Sequence, residues 1–250
     1  MFGRNSGMGV SNSPVWNAEV LRPGVESEVM TINGTIQKTG LLLIIAILTG
    51  AFAWSQTLSG SSIPYQWIGL GVGLVIALII SFKPNKAPAL APVYAGFEGL
   101  FLGSISAWAS LRYTGIASQA FFATMGTLAV MLALYHTRVI RVNDKFRAIM
   151  GVLIGAVCLL YLSTWVLGFF GVNMGFMVGS GLLSIGITVV IIGIAAFSLL
   201  MDFDMIERGS MSGAPKYMEW YGAFALMVTL VWLYIEFLKL FLKLQGRGRD

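Results

Sequence analysis

Seven long apolar stretches separated by short polar segments run along this chain, at roughly residues 40–59, 66–82, 89–111, 118–136, 149–170, 181–203 and 222–243. A helix rises 1.5 Å per residue, so about 20 apolar residues cross the ~30 Å hydrocarbon core of a bilayer. Each stretch is predicted to be one membrane-spanning helix, because a lone strand would leave its backbone polar groups unpaired in lipid. The second is short and holds Gly69, Gly71 and Gly73, with Trp67 as an interfacial anchor. A glycine-rich segment from Gly171 to Gly181, with Asn173, separates the fifth from the sixth. The expected fold class is an all-α integral membrane protein, a seven-transmembrane-helix bundle.

The flanks divide the chain further. Residues 1–30, rich in Gly, Ser, Asn and Pro, read as a flexible cytoplasmic tail rather than a signal peptide, since their charges precede any apolar run. Residues 31–244 form the membrane domain, and 245–250 a short basic tail. Two small-residue spacings, Gly99-x-x-x-Gly103 and Gly151-x-x-x-Gly155, let helices approach closely, and packing inside one bundle is the expectation over a dimer face.

Composition agrees with the pattern. Of the 250 residues, 57% are hydrophobic and only 11% charged, where a soluble domain carries about 25% charged residues. The net charge of +5 does not point to nucleic acid, because the basic residues gather between apolar runs. Arg4, Arg22, Lys38, Lys83, Lys86, Arg138, Arg141, Lys145, Arg147, Arg208 and Lys216 all fall on one side of a seven-span chain. By the positive-inside rule that side is cytoplasmic, and so is the N-terminus. Lys239, Lys243, Arg247 and Arg249 break the rule unless the last segment is re-entrant; seven full spans are preferred. Cys158, the only cysteine, lies in an apolar run and reads as buried filler.

Acidic residues inside such runs are costly, by at least ~2.5 kcal/mol on insertion scales, and usually face a bundle interior or a watery path. Asp202 and Asp204 close the sixth run, Glu236 lies inside the seventh, and Glu98 sits mid-way along the third. Two residues apart on a helix, Asp202 and Asp204 point about 200° from each other. Asp202 is therefore the candidate for the interior and Asp204 for the interface, although both could equally be helix-end charges beside Arg208. Glu236 could pair with Lys239 on its own helix, or be left to itself if the lysines reach outward on their long stems. Glu98 is either a structural group satisfied by a hydroxyl or carbonyl, or a polar liner of the same path. His136, the sole histidine, ends the fourth run and reads as interfacial.

Enzymatic constellations are missing. One histidine and one cysteine exclude a His/Cys metal cluster, and no GxSxG, GxxxxGK[ST] or HExxH sequence occurs. The chain is not expected to be an enzyme or to hold a cofactor.

Four segments carry a resemblance: Met30-Thr-Ile-Asn-Gly-Thr-Ile-Gln-Lys-Thr-Gly40; Ala91 to Gly103, reading APVYAGFEGLFLG; Asp202-Phe-Asp-Met-Ile-Glu207; and Ala214-Pro-Lys-Tyr-Met-Glu-Trp-Tyr-Gly-Ala223 running on to Leu233-Tyr-Ile-Glu236. In these the chain resembles the Bax inhibitor-1 family, most closely its bacterial Bax inhibitor-1/YccA-like branch. The resemblance implies a central helix surrounded by the others and a pH-sensitive calcium leak through a bacterial inner membrane. It also implies that Asp202 and Glu236 form a proton-sharing dyad that meets calcium transiently, with Lys83 or Lys86 as a basic latch. The two carboxylates are spaced more widely here than the family pattern implies, so a ladder of separate groups is the alternative to the dyad. The leading function is a pH-gated cation leak whose partners are the bilayer and calcium or another cation. The alternative is a non-transporting protein that binds and restrains another membrane protein, such as a membrane protease.

Overall fold

The computed structural model describes residues 29–171 and 175–247. Its helices are α1 (Ile32–Leu58), α2 (Tyr65–Phe82), α3 (Ala87–Arg112), α4 (Ile116–His136), α5 (Asp144–Phe169), the single turn α6 (Gly175–Val178), α7 (Leu182–Met211) and α8 (Met218–Arg247). All but α6 are long and apolar enough to cross a membrane. The tail through Glu28, together with Asn173 and Arg249, lies outside the described residues.

Several helices outrun their apolar stretches because caps, not hydropathy, set their ends. Helix α1 begins at Ile32, where the Thr31 side chain accepts the Gly34 N–H at 3.0 Å. Its first turns hold Asn33, Gln37 and Lys38, which the apolar stretch of residues 40–59 leaves out. Helix α5 starts at Asp144, capped by Asn143, whose side chain accepts the Phe146 N–H at 2.8 Å. Helix α7 carries Asp204, Glu207 and Arg208 as two further polar turns before it stops at Met211.

Helix α8 is the hub, packing against α1, α3, α4 and α7. It is one unbroken 30-residue helix, so the last segment is not re-entrant. Its start lies beside the start of α1: Val29 and Pro215 form an isolated antiparallel bridge, and the Met30 N–H donates to the Ala214 carbonyl at 2.6 Å. That basic end of the bundle also holds the α2–α3, α4–α5 and α7–α8 connections. Lys239, Lys243 and Arg247 lie toward the far end.

Helices α1 and α3 meet through Gly99 and Gly103, where a Cβ at Gly103 would run into the Gly50 backbone. The first small-residue spacing therefore works inside the bundle. The second does not. Gly151 and Gly155 face open space on α5, and Cys158 on the same helix is exposed rather than buried. The reason is that α5 packs mainly on α7 and turns most of its circumference outward.

Candidate functional site

Helices α7 and α8 run antiparallel and hold most of the acidic chemistry. Asp202 faces α8, with the Thr229 hydroxyl beside its carboxyl, and its Oδ2 is buried without a hydrogen-bond partner among the described residues. Glu236 is 1% exposed on α8. Its Oε1 accepts from the Tyr161 hydroxyl of α5 at 2.7 Å and pairs with Lys239 at 2.6 Å, whereas Oε2 is buried with no partner among the described residues. Lys239 thus turns inward to the carboxylate instead of reaching away.

The two groups do not meet. Thr229 precedes Glu236 by seven residues, about 10 Å of helix rise. The offset holds along the whole pair, because Lys243 donates to Thr188, fourteen residues from Thr229 and from Asp202 respectively. Between the two levels the helices close over Ala195, Leu199, Leu230 and Leu233. A shared-proton dyad is not formed in this arrangement; the carboxylates stand as separate rungs. Nor do they jointly make a metal site, and no group of three potential acidic, His or Cys ligands occurs among the described residues.

Asp204 points the other way, toward the basic end, where Arg147 of α5 holds it at 2.8 Å and Arg208 at 2.9 Å. One turn further, Glu207 accepts from the Tyr135 hydroxyl and from Arg138 at 2.5 Å. Glu98, 7% exposed, lies with Tyr94 against Gly73 of α2, where a Cβ would come within 3.0 Å of its Oε2. It faces the α2–α3 seam rather than Asp202. Lys83 and Lys86 are exposed, and among the described residues they enter no ion pair with any of these groups. Arg147 and Arg208 hold Asp204, Arg138 of the α4–α5 connection holds Glu207, and Lys239 holds Glu236 instead.

Hydropathy did not single out the most enclosed acid, Glu219, which is 0% exposed in the first turn of α8. It receives the Thr31 N–H at 2.9 Å, the Thr31 hydroxyl at 2.8 Å and the Lys38 ammonium. Gly34 has to be glycine-sized here, because a Cβ would fall on the Glu219 carboxylate. Two cavities of about 530 Å³ each lie end to end between α1 and α4 over α8, with Leu43 lining both, and neither is lined by Asp202, Glu98 or Glu236.

A family described as Bax inhibitor 1 like matches residues 5–246 of this sequence. The chain belongs to that family. No curated protein and no solved structure matches it. For this Bax inhibitor 1 like protein the geometry gives two of the motif segments a physical reason. Met30 to Gly40 and Ala214 to Ala223 are far apart in sequence, yet they fold together as the Thr31–Lys38–Glu219 clasp that joins α1 to α8.

Proposed function

We propose that this protein is a pH-sensitive leak path for calcium or a similar cation, gated by the protonation of Asp202 and Glu236. One observation supports the reading above the others: two carboxyl oxygens, one on each of two adjacent spans, are buried without a donor among the described residues. A buried carboxyl oxygen of this kind needs either its own proton or an arriving cation, since leaving it bare and charged is costly. Both groups face the α7–α8 interior, where alternation between proton and cation would be felt by the hub helix.

In this conformation the path is closed. The leucines between the two rungs exclude water, and Lys239 already occupies one oxygen of Glu236. Opening then requires α7 and α8 to part at Leu199, Leu230 and Leu233 and Lys239 to leave Glu236. Calcium is cargo in this reading, with no cofactor and no catalysed reaction. The orientation that goes with it puts the basic end in the cytoplasm of a bacterial inner membrane. The test is calcium uptake by liposomes holding the full chain: Asp202→Asn should alter the flux, and a flux identical to wild type would remove Asp202 from the path.

A second reading, a non-transporting protein that restrains another membrane protein, draws support from the double cavity between α1 and α4. Its lining on α1 runs from Ile32 to Trp54, about 33 Å of rise, the thickness a partner's spanning helix would cross. Under that reading Ile47→Trp, at an exposed lining position of α1, abolishes partner co-purification, and the wild type in liposomes carries no calcium flux.

A further inference from the structure

At the far end of the bundle a cavity of about 270 Å³ lies among α5, α7 and α8. Its walls carry the ammonium groups of Lys239 and Lys243 and the hydroxyl-bearing side chains Tyr161, Thr164 and Thr188. Charges here do not balance. Lys239 is matched by Glu236 at 2.6 Å, donates to the Tyr161 hydroxyl at 2.9 Å and lies 4.4 Å over that ring. Lys243 has no carboxylate: its ammonium donates to the Met177 carbonyl at 2.7 Å, to the Thr188 hydroxyl at 2.8 Å and to the Ser184 carbonyl at 3.4 Å. Among the described residues it enters no ion pair.

The two lysines are four residues apart on α8, so they share a face and repel each other. Placing one uncompensated positive charge in a half-buried cavity is costly unless a counter-charge comes to it. Among the described residues the charged side chains that line the cavity are both cations, and Glu236 is already occupied by Lys239. The space far exceeds the ~30 Å³ share of one liquid water, so an oxyanion of several heavy atoms fits.

We infer that this cavity is an anion site for a phosphate-class group, held by the Lys243 and Lys239 ammoniums. Lysine serves phosphate as a point charge, while the Thr188 and Tyr161 hydroxyls already donate, to the Ser184 carbonyl at 2.9 Å and to Glu236 at 2.7 Å, and orient the two ammoniums as acceptors. The cavity lies toward the far end of the membrane-crossing helices, so the group comes either from a phospholipid headgroup or from free phosphate. The inference does not rest on the leak reading, because Lys243, the charge it accounts for, takes no part in that path.

Native mass spectrometry of the delipidated full chain tests it, once with inorganic phosphate and once with phosphatidylglycerol. The expected result is one retained phosphate or one retained phospholipid on the wild type, at least about tenfold weaker in Lys243→Met and preserved in Lys243→Arg. Retention of free phosphate identifies a soluble oxyanion site; retention of the lipid alone identifies a headgroup site. Lys243→Gln, which keeps a hydrogen-bond donor for the Met177 and Ser184 carbonyls and removes the charge, gives the same comparison if Lys243→Met does not fold. Equal retention by wild type and variants, or no retention of either probe by the wild type, overturns the assignment.

Discussion

Single side chains decide most of the chemistry. Asp202 and Asp204 are two positions apart, yet one buries an oxygen against α8 and the other holds two arginines, as the 3.6-residue turn requires. Lys239 closes Glu236 from the far end, so Lys239→Met is predicted to raise calcium flux several-fold; a flux at or below wild type would show that this ion pair does not restrain the path. Glu219 is the strongest structural acid. Truncating it in Glu219→Ala strands the Thr31 N–H and the Lys38 ammonium, a loss of about 3 kcal/mol or more. At about 2–4 °C per kcal/mol this lowers Tm by roughly 6–12 °C in detergent; an unchanged Tm would contradict the clasp. Glu219 was quoted inside a motif but carried no apolar context to mark it. Its partners lie 181 and 188 positions away, so only the fold reveals them.

At the scale of elements, the apolar runs announced seven helices because hydrocarbon demands both length and internal backbone pairing. Helix ends were less legible. Thr31 and Asn143 set the starts of α1 and α5 through side-chain caps, and polar turns that hydropathy passes over continue α7 to Met211. The two small-residue spacings look alike in sequence and differ in space: Gly103 is filled by Gly50 of α1, and Gly151 faces outward. Gly103→Leu should therefore separate α1 from α3 and cost at least about 1–3 kcal/mol, while Gly151→Leu leaves stability unchanged. A comparison of their thermal unfolding checks this, and equal losses would refute it. The distance between Asp202 and Glu236 was not legible either, because it depends on where the α7–α8 turn sits. The six residues Ser212 to Tyr217 between the helices set that register.

For the whole molecule, seven spans put the start of α1 and the end of α8 on opposite faces. Under the proposed orientation the basic connections lie in the cytoplasm, and Lys239, Lys243 and Arg247 lie toward the outer face. In a Cys158→Ser background, an impermeant thiol reagent on intact cells should label Ser180→Cys and miss Ser210→Cys. The reverse pattern would invert the orientation. The architecture also joins both proposals through α8. Its basic-end half carries Glu219 and faces Asp202, and its far half carries Glu236, Lys239 and Lys243, so any movement of this one helix is felt at each of these groups. The most direct test of the gating claim is the pH profile of calcium flux through liposomes, wild type against the double variant Asp202→Asn/Glu236→Gln. The account predicts a flux that varies with pH in the wild type and a flat profile in the double variant; an identical pH dependence in both would contradict it.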